Sequence, residues 1–220
     1  AIEAEVVQIW TDIDGMHNND PRIVDKTYPI AEISFNEASE LAYFGAKILH
    51  PSSILPVLQY NVPVQLKNTM EPEAPGTTIS SEEKTKQVKA IAAKDGITAI
   101  KIKSTRMLLA YGFLRKIFEV FEKYRTPIDM ITTSEVAVSL TIDTDSHLDE
   151  IVKELEDFGD VMIDRNQTII CIVGNQIAEQ KGLVKKIFDA MDHIPVRMIS
   201  YGGSRYNISL LIDTNYKKDA

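Results

Sequence analysis

From Gly112 to Asp143, apolar and polar positions follow two periods in succession. Phe113, Leu114, Ile117, Phe118, Phe121 and Tyr124 recur at helical spacing, while Arg115, Lys116, Glu119, Glu122 and Lys123 take the other face. That pattern predicts an amphipathic helix. Pro127 is expected to end it, because proline lacks an N–H and restricts the residue before it. Val136, Val138, Leu140 and Ile142 then alternate with Ala137, Ser139 and Thr141, the period of a strand with one buried face. The same succession returns from Gly182 to Asp213. The two glycines are 70 residues apart (182 − 112), and so are the closing aspartates (213 − 143). Pro195 trails Pro127 by 68 residues, and two extra residues in the second turn restore the register. A repeat of this kind is one structural unit used twice.

The first copy is framed by further elements. Ile97, Ile100 and Ile102 predict a strand before it, joined by the loop Ser104 to Tyr111. After it come a helix holding Leu148, Ile151, Val152 and Leu155, stopped by Gly159, and a closing strand at Val161 to Ile163. Strand, helix, strand, strand, helix, strand is the ferredoxin-like split βαβ order, here over residues 96–166. Thr168 to Val173 opens a second such unit over 167–220, which stops short of its own second helix and last strand. That unit is expected to be incomplete and open to interleaving with the first.

Residues 1–80 read differently. Val6, Val7, Ile9 and Trp10 suggest a strand running into a polar turn. Ser34 with Glu37 is a capping-box signature for a helix carrying Leu41, Ala42 and Phe44. A second helix holding Ile54, Leu55 and Leu58 and a strand from Asn61 to Leu66 follow, an α/β alternation. Pro72, Pro75 and Gly76 mark an irregular exit. Ser80 to Lys94 is polar with little periodicity and reads as a linker or connecting helix, with the linker at 81–95. The chain opens without Met close to a strand and ends in a polar tail, so it is expected to be a fragment cut at both ends.

Composition narrows the classes. The chain has 220 residues, 44% hydrophobic and 25% charged, the balance of a globular protein of one large or two smaller domains. A net charge of −8, without a basic run interleaved with aromatics, argues against nucleic acid as a partner. No signal peptide or apolar run of spanning length is present, so no membrane partner is expected. The single cysteine, Cys171, sits in an apolar run and is expected as a buried strand residue. A chain without disulfides fits a reducing, cytoplasmic compartment. There is no metal-ligand spacing of His and Cys, no GxxxxGK[ST] loop and no serine or cysteine nucleophile set.

Two groups of residues carry candidate chemistry. Thr11 and Asp12 stand at a strand end, where α/β folds place ligands, and suit a ribose or an adenine amine. Arg22 and Lys47 are cations suited to phosphate oxygens. His17 and His50 read as turn or core histidines. In the repeat, a free amino acid would need a carboxylate for its amine and N–H groups for its own carboxylate. Gly112 opens a helix that offers such donors, and Asp129 lies on the following strand. The second copy has Arg197 at the equivalent place, 68 residues on, so only the first copy can neutralise an amine there.

The motifs WTDIDG, DPR, LAYFGAKILHP and YNVPVQLKNTMEPEAPGT, in this order, resemble the C-terminal part of the aspartokinase catalytic domain, of the amino-acid kinase fold. The later half resembles the pair of ACT domains that follows it. GFL and TPIDMITTSEVAVSLTID are similar to the lysine-sensitive class. The resemblance implies a full enzyme that phosphorylates L-aspartate with ATP, and Mg2+, to 4-phospho-L-aspartate. That is the entry step to lysine, threonine, methionine and isoleucine, with feedback by L-lysine. It implies nucleotide contacts at Thr11, Asp12, His17 (where the family usually has tyrosine), Arg22 and Lys47. It implies effector contacts at Met107, Ala110, Phe113, Leu114, Asp129, Ser134 and Glu135. Ala110 and Leu109 depart from the usual serine and histidine. The family's lysine motif, glycine-rich phosphate loop and aspartate-binding residues lie upstream of Ala1. The fragment alone is therefore expected to be inactive, with no catalytic residue and no metal ligand of its own, and to form a homodimer through its ACT units. The alternative is a non-catalytic ACT sensor carrying a kinase remnant. The intact WTD, DPR and GAK motifs favour the enzyme.

Overall fold

The computed structural model describes residues 4–44, 56–83, 87–107 and 111–220. The first sheet holds β1 (Val7–Thr11), β2 (Glu32–Ser34), β3 (Val64–Asn68) and β4 (Thr77–Ser80) in the order β1-β3-β4-β2. β1 runs parallel to β3 and β2 parallel to β4, with β3 and β4 antiparallel. β2 and β4, at three and four residues, are too short to show a period, and the sequence pattern passed over them. β3 starts later than the expected Asn61, which instead turns the chain with φ 52°. α1 (Phe35–Tyr43) begins at the expected capping box: Glu37 N donates to Ser34 Oγ, and Ser34 N donates to Glu37 Oε2. Its Phe35, Ala38 and Leu41 are buried. Of the second expected helix, residues 56–59 are helical; Ile54 and Leu55 lie outside the described residues.

The second sheet is antiparallel throughout. It comprises β5 (Val88–Lys103), β6 (Ile131–Thr133), β7 (Ala137–Ile142), β8 (Asp160–Gly174), β9 (Val196–Ser200) and β10 (Asn207–Asp213), in the order β6-β7-β5-β8-β10-β9. Residues 88–95, expected in a linker, are the first half of β5. Their pattern lacks strand alternation because both faces are covered. Ala90 and Ala92 face the core shared with α1, while Ile91 and Ala93 face the opposite core.

β5 and β8 are long enough to serve both repeat units. The second half of β5, with β6, β7 and the first half of β8, makes the first unit. The second half of β8, with β9, β10 and the first half of β5, makes the second. Residues 88–94 thus stand where the second unit's fourth strand belongs. Between the halves, the pairs Lys94↔Ile169, Ile97↔Gln167 and Ala99↔Asp164 place one extra residue on β5 and then one on β8. Each bulge flips the pleat. Ile91 and Ile100, of the same parity shift, therefore both reach the helical face, and Ala92 and Ala99 both reach the other.

α2 (Phe113–Lys123) and α3 (Leu148–Leu155) cover the first unit, and α4 (Leu183–Ala190) covers the second. α2 and α4 both start from a glycine in the left-handed region, Gly112 at φ 76° and Gly182 at φ 78°, a conformation that side chains resist. α2 ends before Pro127 acts on it, because Arg125 turns the chain at φ 49°. Val136 is exposed and lies just outside β7. Cys171 is buried on β8, and burial pushes its thiol up to about 12. The two edge strands β6 and β9 approach each other, with Met130 and Met198 in the core shared with α1, so the sheet curls over α1. Among the described residues no helix is long and apolar enough to cross a membrane.

Candidate functional site

β1 delivers Thr11 to the end of a parallel pair of strands. There Thr11 Oγ1 accepts from Ile13 N at 3.2 Å, which turns the chain and leaves Asp12 exposed. The loop that follows is pinned from below. Thr77 Oγ1 accepts from Met16 N at 2.8 Å and donates to Ile30 O at 2.6 Å. Gly15, at φ 131°, allows this approach, since a Cβ there would stand 2.6 Å from that hydroxyl. His17 is held inside the loop, with Nε2 2.8 Å from Asp14 Oδ1 and Nδ1 2.9 Å from Thr27 Oγ1. Its ring orients the loop and does not project from it.

Arg22 points outward, 86% exposed, with Nε 3.0 Å from Asp20 Oδ1 and Nη2 2.7 Å from Asp20 Oδ2. This pair holds the Asp20 carboxyl below the usual carboxylate range and raises the guanidinium. The second guanidinium arm is left for a further acceptor. Thr11, Asp12 and His17 share one loop system, and Arg22 lies at its outer turn. Lys47 and His50 lie outside the described residues. Asp14, Thr27 and Thr77, which shape the loop, carried no sequence signal, because each acts through a contact distant in the chain or within a turn of no regular period.

In the first repeat unit, Met107, Phe113 and Leu114 pack together over the helical core, and Phe113 meets Phe158 edge-on at 6.2 Å between ring centroids. Phe113 and Leu114 are the first residues of α2, where backbone N–H groups have no partner within the helix. Gly112, at the cap position, has no side chain to cap that end. Ser134 and Glu135 form the exposed turn between β6 and β7, closed by Ser134 N donating to Ala137 O at 2.8 Å. Ala110 lies outside the described residues. In the second unit Arg197 is exposed.

Asp129 is placed otherwise than the sequence suggests. Its side chain is 2% exposed and turned toward α1. Oδ1 accepts from Lys94 Nζ at 2.7 Å and from Tyr43 Oη at 2.9 Å. Lys94 Nζ also stands 2.9 Å from Asp143 Oδ2 and 4.7 Å from the centre of the Tyr43 ring. Burial and the Asp129 charge push the Tyr43 hydroxyl up to about 12. Burial would lower the Lys94 ammonium, but its bonds to Asp129 and Asp143 outweigh that and raise it. No described hydrogen bond joins Asp129 to Phe113 or Leu114. Lys94, Tyr43 and Asp143 were missed by sequence reasoning. Lys94 sat in the supposed linker, and only the pairing of β5 brings it to Asp129.

Two further contacts tie the first sheet to the second. Glu40 on α1 accepts from Ser204 Oγ at 2.7 Å and from Asn207. Ile91 N, on the free edge of β5, donates to Asn18 O at 2.8 Å, beside His17.

The chain matches two family models, the amino acid kinase family over residues 1–68 and the ACT domain over residues 170–220. It is 40% identical to the chloroplastic aspartokinase 3 of Arabidopsis thaliana over 226 residues, which covers 97% of this chain and 40% of that protein. Escherichia coli aspartokinase III superposes with a TM-score of 0.91 in its complex with aspartate and ADP (R-state) and 0.86 in its complex with lysine and aspartate (T-state). Both superpositions are at 33% identity and cover 99% of this chain, and 51% and 50% of the E. coli chains. A structure described as a C-terminal regulatory domain of aspartate kinase from Porphyromonas gingivalis is 54% identical. That match covers 59% of this chain and 88% of that one, with a TM-score of 0.53. The chain spans about half or less of the length of its full-length relatives.

Proposed function

The chain belongs to the aspartokinase family, and from that premise we propose that the whole protein transfers the γ-phosphoryl group of ATP to the side-chain carboxylate of L-aspartate. The product is 4-phospho-L-aspartate. The observation that carries this reading is the superposition of nearly the whole chain on an aspartokinase bound to aspartate and ADP. Residues 1–80 are the C-terminal portion of the kinase domain and contribute one wall of the nucleotide site. Thr11 and Asp12 lie along the adenosine, His17 serves that contact by holding their loop through Asp14 and Thr27, and Arg22 and Lys47 face the phosphates with their Mg2+. Catalysis of phosphoryl transfer is mainly positioning and charge neutralisation, and this chain alone supplies only part of both. Alone, it is inactive.

The repeat units are the regulatory half. L-lysine binds the first of them, at Met107, Ala110, Phe113, Leu114, Asp129, Ser134 and Glu135. The N-terminal amides of α2 hold its carboxylate, Asp129 accepts from an ammonium, and Glu135 favours a cationic side chain. Two copies pair through these units in a two-fold dimer, using the exposed Ile131 and Val136 beside one sheet edge or Ile199 and Tyr201 beside the other. With a buried free thiol and no disulfide, the protein suits the cytoplasm. The test is aspartyl phosphate formation by the whole protein, trapped as the hydroxamate, with and without L-lysine. ATP-dependent product that lysine suppresses supports the reading. Lysine binding without any phosphorylation would replace it with a stand-alone sensor.

A further inference from the structure

We infer that Lys94 is a tethered competitor for the effector: its ammonium bridges Asp129 and Asp143, and an incoming amino-acid ammonium takes Asp129 and leaves Lys94 on Asp143. This rests on the reading of Asp129 as part of the lysine site.

Three observations carry it. The first is charge. Lys94 faces two carboxylates, at 2.7 Å (Asp129) and 2.9 Å (Asp143). The only other polar group described in the cluster is the Tyr43 hydroxyl, which stays neutral at physiological pH. One cation against two anions leaves room for a second cation. The second is an unused acceptor. Asp129 Oδ2 is buried and has no hydrogen-bond partner among the described residues, although a carboxylate offers about four acceptor positions. A buried acceptor left empty is costly, and an added ammonium relieves it. The third is a place for Lys94 to go. Asp143 is 36% exposed against 2% for Asp129, so Lys94 can shift toward the wetter carboxylate without losing its partner.

The exchange also reaches the kinase portion. Tyr43 is on α1 and donates to the same Oδ1 that Lys94 occupies. Lys94 lies three residues along β5 from Ile91, whose N–H holds Asn18 beside His17. Moving Lys94 therefore disturbs an α1 contact, on the same strand whose Ile91 N–H holds the loop at Asn18.

The arrangement predicts opposite signs for two neighbouring substitutions. In the whole protein, L-lysine binding is measured by calorimetry for Lys94→Met, Lys94→Gln and Asp143→Asn, with thermal unfolding as the check on folding. Removing the competitor should tighten lysine binding by about three- to tenfold. Removing the alternative anchor should weaken it by a similar factor, because Lys94 then has nowhere to move. A purely structural cluster would weaken binding in every variant. Unchanged or weaker binding in folded Lys94 variants overturns the inference, and so does tighter binding in Asp143→Asn, which keeps it testable if both Lys94 variants fail to fold. Asp129→Asn separates the two levels. If it leaves lysine binding intact, the site assignment itself is wrong. If it abolishes binding while the Lys94 variants show no tightening, only the competitor is refuted.

Discussion

Ile91 on β5 lies directly across from Ile172 on β8, and both side chains enter the core beneath α4. The strand that completes the second repeat unit therefore comes from ahead of the first. A chain starting at Gln87 keeps this pairing, whereas one starting at Gly96 leaves Ile169 to Gly174 without a neighbour on that side. The longer chain should melt cooperatively. The shorter should aggregate or melt well below it, since an unpaired apolar edge is an open template for association. Circular dichroism melts with light scattering make the comparison, and equal melting temperatures would show that residues 88–94 are dispensable.

The repeat was legible because α2 and β7 each bury one face, so their periods are written in the residues. β5 was not, because a strand covered on both sides needs no alternation. Alanines suffice at Ala90 and Ala92 where α1 packs close. The site divided along the same line. Phe113 and Leu114 follow from where a helix starts, and Thr11 and Asp12 from where a strand ends. The partner of Asp129 is a lysine 35 residues earlier, fixed by strand register alone, and no local pattern announces it.

Alkaline pH should act on the Tyr43–Lys94 cluster. Both groups hold their protons more tightly in the folded chain, Tyr43 up to about 12 and Lys94 raised by its two carboxylates. Their contribution to stability is complete below the ordinary values of about 10 and 10.4 and is lost as pH climbs through the raised ones. The denaturation midpoint should hold from about pH 7 to 9 and fall above about pH 10. Tyr43→Phe should flatten part of that fall. Phenolate absorbance offers a second readout: Tyr124 and Tyr206, bonded to Glu154 and Glu83, also hold their protons more tightly, so the late phase should shrink by one tyrosine in the variant without vanishing.

Ser34 and Glu37 are both 2% exposed, so this capping box is a buried one. Ser34 Oγ accepts from Glu37 N at 3.3 Å and donates to Glu37 Oε2 at 2.7 Å. Ser34→Ala removes the cap and also strips a donor from a buried carboxylate. A cap alone contributes about 0.5–2 kcal/mol, and the Glu37 carboxylate, left with the residue-34 backbone N–H as its donor, should place this loss at the upper end of that range. Glu37→Gln keeps a hydrogen-bonding side chain and relieves the buried charge, so it should cost less. Urea midpoints in the reverse order would contradict this account.

Thr77 is fully buried and fastens two points of the loop that carries Asp14 and His17, through Met16 N and Ile30 O. Thr77→Val preserves shape and burial but deletes the hydroxyl. Two backbone groups then lose their partner, at about 1–3 kcal/mol each. The loop can recover part of this only by moving away from β4. That movement carries Asp14 and His17 with it, since their contacts lie within the loop. Two effects should appear together: a lower denaturation midpoint and, in the whole protein, a higher KM for ATP with a smaller change in kcat. Thr77→Ser restores the hydroxyl without the methyl and should recover most of both. If Thr77→Ser is as impaired as Thr77→Val, the methyl packing matters more than the hydrogen bonds, and the hydroxyl is not what holds the loop.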